Sequence, residues 1–199
     1  MNNVDEVWKL LDEYYPEGEL YNKRKEIIVG SDGLASSKGG IQLKKDSTTG
    51  LLPFKWRRVD GSFWVSNRKL KSLWGSPFFV GGDFFCSRNK ITTLQYCPQY
   101  IGGHFWFRLC PIKTLRWFPR EVHGNIGFHH NDSLEYLQLL KVKGWKQIIA
   151  RDSSGNDIKD LSEILSKYSG KGLWYWSRLR NELTKAGYEK NARFPGGLV

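Results

Sequence analysis

Four segments of the chain align in register: Val59-Asp60-Gly61-Ser62-Phe63, Val80-Gly81-Gly82-Asp83-Phe84, Ile101-Gly102-Gly103-His104-Phe105 and Val122-His123-Gly124-Asn125-Ile126. They start at 59, 80, 101 and 122, a constant step of 21 residues. Three downstream columns keep the step: Leu70/Ile91/Ile112, Leu73/Leu94/Leu115/Tyr136 and Pro77/Pro98/Pro119. Residues 38–58 read as a degraded earlier copy, with Gly40 in phase with Gly61 and Leu52 in phase with Leu73.

A unit of this size cannot bury its own apolar face. It must stack on its neighbours, so the repeat predicts a solenoid. Alternation locates one strand per coil: Phe84 and Cys86 point one way, Phe85 and Ser87 the other. The glycine pair before each strand predicts a tight turn. The proline column predicts the end of each return segment.

The run Phe84-Phe85-Cys86-Ser87-Arg88-Asn89-Lys90-Ile91-Thr92-Thr93-Leu94 resembles a leucine-rich repeat, the LxVSxNxLxxL pattern of the short bacterial-effector type. The resemblance covers about residues 59–140. It implies that Phe63, Val65, Leu70 and Leu73 fill core positions, and that Asn89 and Asn131 bond backbone groups in the turn between coils. Arg68 and Cys110 stand at the asparagine position of two coils, and a glycine holds the first apolar position. The wording around Gly81-Gly82-Asp83-Phe84, with the tail Leu183-Thr184-Lys185-Ala186-Gly187-Tyr188, also resembles repeat proteins of tailed bacteriophages. The fold expected is an α/β repeat: one leucine-rich-repeat-like solenoid of four to five coils with helical N- and C-terminal caps.

The flanks are helical in pattern. Residues 3–14 place Val4, Val7, Leu10, Leu11 and Tyr14 or Tyr15 on one face, and Pro16 ends that helix. Asn156 or Asp157 is the expected cap of a second helix carrying Ile158, Leu161, Ile164, Leu165 and Tyr168. A third runs from Leu173 to Lys185 with Trp176, Leu179 and Leu183 inward, and Gly187 stops it. The expected organisation is an N-terminal helical cap over 1–37, the solenoid over 38–150 and a C-terminal helical segment over 151–199.

Charge is uneven. Residues 38–125 hold fifteen bases and four acids, whereas residues 1–20 hold six acids and one base, and the chain totals +11. The surplus predicts an acidic partner. An acidic N-terminal helix would shield part of the basic middle or repel that partner. No apolar run approaches a membrane span, the first residues lack a secretory pattern, and three cysteines make no disulfide framework. The expectation is a cytoplasmic protein, in the host cytoplasm if a phage encodes it, with Cys86 and Cys110 reduced in the core and at most Cys97 reactive.

Enzymatic signatures fail on inspection. Gly81-Gly82-Asp83-Phe84 spells the start of a cyclic-dinucleotide synthase signature, but Phe84 stands where the second metal-binding acid belongs. The four histidines and three cysteines lack the close pairing of a zinc site. His129-His130-Asn131 suggests part of a nuclease motif, but Asn131 already has the repeat role. No phosphate loop, GxSxG or GxGxxG is present. No cofactor and no metal are expected.

What remains is a surface. The outward strand positions hold Trp64, Phe85 and Trp106, then Gly127; beside them run Ser66, Ser87, Arg108 and His129. Aromatics stacked on an outward face cost solubility unless a partner covers them. The expected partner-binding residues are Trp64, Phe85, Trp106, Arg108, His129 and Arg88. The expected function is a non-enzymatic binding protein that modulates a host protein with an acidic surface, a defence component being the partner a phage origin suggests. The alternative is a nucleic acid, held by aromatic stacking beside Lys and Arg. Segregated basic and aromatic faces favour the protein partner; interleaving on one face favours nucleic acid.

Overall fold

The aromatic and aliphatic columns fold the chain into a stack of coils, each contributing two short parallel strands. The computed structural model describes residues 4–14 and 24–194. One sheet contains β1 (Ile27–Val29), β2 (Ala35–Ser37), β4 (Trp56–Val59), β6 (Phe79–Val80), β8 (Tyr100–Ile101) and β10 (Glu121–Val122), in that spatial order. The other contains β3 (Ile41–Gln42), β5 (Phe63–Trp64), β7 (Phe84–Phe85), β9 (Phe105–Trp106), β11 (Ile126–His129) and β12 (Ile148–Arg151). Every pairing between these strands is parallel except the β1–β2 hairpin. The result is a parallel β-solenoid of about six turns rather than four to five, with an N-terminal helix and C-terminal helices.

The expected interior column is in place: Phe63, Phe84, Phe105 and Ile126 are fully buried. Phe84 stacks on Phe63 at 6.0 Å and on Phe105 at 5.5 Å between ring centroids. Each such side chain contributes about 1.5–3 kcal/mol by leaving water. Cys86 lies in the adjoining column between Val65 and Phe107, and the Leu73 and Leu70 columns are equally buried.

The second strand of each coil differs from the expected return segment. Val59, Val80, Ile101 and Val122 are fully buried in the first sheet, not displaced members of a single strand. Asn89 does bond between coils: its Oδ1 accepts the Arg68 and Leu70 N–H groups, and its Nδ2 donates to the Val65 and Cys86 carbonyls. Cys110 makes a weaker substitute, donating from Sγ to the Cys86 carbonyl at 3.3 Å. The repeat glycines are also needed for a different reason than expected. A Cβ on Gly81 would sit 2.1 Å from the Asp60 carbonyl oxygen, and one on Gly102 2.1 Å from that of Gly81. Backbones of adjacent coils approach too closely there for any side chain.

Register explains the extra coils. Adjacent second-sheet strands pair at a step of 21 from β5 to β11, but Ile41 pairs with Phe63 and Ile126 with Ile148, a step of 22. The 22-residue step after β11 spans a 3-10 turn at Tyr136–Lys141.

The helices meet the ends of the stack. In α1 (Val4–Tyr14), Val7, Leu11 and Tyr14 are buried, and Asp12 and Glu13 pair with Arg24 and Lys45. Tyr15 and Pro16 lie outside the described residues. In α2 (Lys159–Ser166), Ser166 and Ser162 accept the N–H groups of Ile148 and Ala150, so the helix closes the β12 edge. Its cap position is Ile158; Asn156 and Asp157 instead bond Asp152 and Arg151. In α3 (Trp176–Lys185) Leu179 and Leu183 are buried as expected, but Trp176 is 37% exposed because the preceding turn is a separate 3-10 element. Gly187 stops the helix with φ +87°.

Candidate functional site

The outward face of the second sheet carries two side-chain columns, because alternate residues of each strand leave the core. Register puts Gln42, Trp64, Phe85, Trp106, Gly127 and Ile149 in one. His129 pairs with Arg151 in the other, which Arg108 continues. Trp64 is 43% exposed and packs edge-to-face on Phe85, with centroids 5.2 Å apart. These two, with Gln42, Leu43, Ser66 and Arg68, line a pocket of about 370 Å³.

Trp106 leaves this regular stack. Its ring occupies the space above Gly127, where a Cβ would fall 1.9 Å from Trp106 Cε3. The Arg108 guanidinium covers it, 4.2 Å from the ring centroid.

Beyond Trp106 the face opens into a cleft of about 390 Å³ that gathers Arg88, Arg108, His129 and Arg151. Three of these were expected site residues; Arg151 was not. The Arg108 Nε is buried and has no hydrogen-bond partner among the described residues. Burial and the nearby Arg151 pull the Arg108 guanidinium below its ordinary pKa, opposed by Asp157. Burial, then Arg108 and Arg151, hold His129 below 6.5 as well. Arg151 Nε donates to Asp157 at 2.7 Å. His129 Nδ1 accepts the Leu109 N–H at 3.1 Å, so the neutral ring carries its proton on Nε2.

The Ser62/Asp83/His104 column has the residue types of a catalytic triad but a different role. Ser62 Oγ accepts the Asp83 N–H at 3.0 Å, Asp83 Oδ1 the His104 N–H at 2.6 Å, and His104 Nδ1 the Asn125 N–H at 2.9 Å. Each side chain secures the backbone one coil further on. The thiols are similarly committed. Cys86, Cys97 and Cys110 are all buried and free, and burial raises all three, Cys110 to about 11. Cys97, the one thiol for which reactivity was left open, is enclosed and donates to the Trp117 carbonyl. Among the described residues no cluster of His, Cys, Asp and Glu could hold a metal, and no helix is long and apolar enough to cross a membrane.

Sequence reasoning missed a second aromatic surface. On the first sheet Phe79 and Tyr100 stack at 4.6 Å, and Arg58 lies over Phe79. Its cations are neutralised, Arg58 by Asp60 and Arg57 by Asp32. Arg88 and Arg108, just beyond β7 and β9 of the second sheet, have no acid partner within ion-pair distance among the described residues, which makes that face the stronger anion attractor.

Fold and face together define a parallel β-solenoid with an aromatic and basic surface. No family model, curated protein or solved structure matches the chain.

Proposed function

We propose that the chain is a non-catalytic binding protein whose second-sheet face takes a single-stranded nucleic acid. The observation that carries this reading is the interleaving of cation and ring on one face. Arg108 stacks on Trp106, between the Trp64–Phe85 pocket and the arginine cleft. Nucleic-acid faces of this type use rings for bases and guanidiniums for phosphates, and they tolerate any sequence. The test is anisotropy titration of labelled oligonucleotides at several salt concentrations. Affinity should fall with a log–log slope of about −0.7 per phosphate contacted. Trp64→Ala should weaken binding by about 1–3 kcal/mol, the worth of one stacked base, with little change in melting temperature. Absence of binding at low salt, or binding indifferent to salt, overturns the reading.

A second reading keeps the protein partner: a phage-encoded modulator of an acidic host protein, such as a defence component. One observation favours it. Trp174 is 94% exposed beside Leu173 and Trp176, at 46% and 37%, a patch apart from the sheet face. If it is right, Trp174→Ala abolishes capture of the host partner and leaves oligonucleotide binding unchanged.

A further inference from the structure

The cleft at the end of the second sheet has an electrostatic imbalance that the fold does not relieve. Arg108, His129 and Arg151 come from successive strands, and neighbouring strands lie about 4.8 Å apart. Like charges at that spacing repel. Arg88 enters the same cleft from the turn after β7. Against three guanidiniums stand two nearby carboxylates, both engaged within the protein. Asp157 takes the Arg151 Nε–H, and Asp152 takes the Asn156 N–H and Nδ2–H. A positive excess remains, and it grows when His129 takes up a proton.

The free donors point to the ligand. Arg108 Nε–H is buried and unpartnered. The remaining guanidinium hydrogens of Arg88 and Arg151, and the His129 Nε2–H, are further donors around the cleft. Guanidinium forks match phosphoryl oxygens, and charge-assisted bonds to them are the strong class.

We infer that this cleft is a binding site for a phosphomonoester, held by Arg88, Arg108, Arg151 and His129. With His129 neutral the three guanidiniums exceed the two carboxylates by one charge, and with it protonated by two. A phosphomonoester dianion that draws a proton onto His129 is therefore fully matched, whereas a carboxylate or an internal phosphodiester, each with one charge, leaves one positive charge over. Position agrees. β12 is the last strand of the sheet and α2 closes its edge, so a strand lying along the aromatic column ends at this cleft. The phosphate is then a terminal phosphate of the nucleic acid, which rests on the reading above, or that of a free phosphorylated small molecule.

Three probes decide it: a short oligothymidylate with hydroxyls at both ends, the same strand phosphorylated at one end or the other, and inorganic phosphate. One phosphorylated strand should bind about tenfold tighter than the hydroxyl strand. Arg88→Asn and Arg108→Gln should each abolish that ratio. Arg88 sits at φ +56°, a conformation asparagine adopts more readily than arginine, so Arg88→Asn removes the charge without straining the fold. Inorganic phosphate should shift the His129 ring resonances in the parent and not in Arg88→Asn. Equal binding of all strands with no phosphate response overturns the inference and leaves the nucleic-acid reading standing. A phosphate response without strand binding, or without preference for a phosphorylated end, keeps the site and assigns it to a small molecule; failure of strands to bind overturns the other reading.

Discussion

Replacing Asn89 by alanine tests whether polar bonds between coils, and not only stacked rings, hold the solenoid together. Asn89 is 5% exposed and makes four close hydrogen bonds, two accepted at 3.0 Å from Arg68 and Leu70 and two donated at 2.8 Å to Val65 and Cys86, besides a long one donated to the Ser87 carbonyl at 3.5 Å that adds little. A net value of about 1 kcal/mol for each bond puts the loss near 4 kcal/mol, or about 2 kcal/mol if water enters the vacated space. For a chain of this size each kcal/mol moves the melting temperature by about 2–4 °C, so the larger loss lowers it by about 8–16 °C. Asn131→Ala is the internal control. Asn131 is only half-buried, donates once to the Ile112 carbonyl and accepts once from nearby Ser133, so it should cost about 1 kcal/mol. Urea unfolding followed by far-ultraviolet circular dichroism measures both. If the two variants lose the same stability, or Asn89→Ala loses less than about 1 kcal/mol, the bonds do not carry the turn and the argument fails.

Three further outcomes are expected. In native protein none of the three thiols should react with a disulfide reagent, because burial holds each in the protonated form; labelling of native Cys97 would contradict its placement. Leu109 is half-exposed at φ +52°, so Leu109→Asn should raise stability by about 0.5–1 kcal/mol in the same urea assay, and a loss would show that its side chain matters more than its backbone. His129 and His130 are both held below 6.5, chiefly by burial. The unfolded chain therefore takes up protons first as pH falls, and urea midpoints should drop progressively below pH 6.5, a slope that His129→Gln with His130→Gln should flatten.

The central coils were legible because a step of 21 residues needs no knowledge of structure. It sorts Phe63, Phe84 and Phe105 into one column, and alternation then turns Trp64, Phe85 and Trp106 outward. The same device hid the last coil. Ile148 follows Ile126 by 22 residues, so a comparison in phase at 21 misses β12 and with it Arg151, the fourth member of the cleft. The first sheet escaped notice because β6, β8 and β10 have two residues each, too few for alternation to register. Trp106 was expected to stack on Phe85; Gly127 in its own column was the available sign that the ring had space on the other side. The exposure of Trp176 and the burial of Cys97 depend on local turn geometry, which no periodicity encodes.

The ladder from Ser62 through Asp83 and His104 to Asn125 restricts how this chain can change length. Each rung joins a side chain to the backbone 21 residues later, so the stretch it spans tolerates insertion or loss only in whole coils. Excising residues 81–101 as a block would bring His104 onto Ser62 and Phe105 onto Phe63, and every column would close again. A block one residue shorter would set His104 where Phe84 fills the core. Variation in length is thereby quantised in the middle of the molecule, and single-residue changes are left to its two ends, where the 22-residue steps already lie.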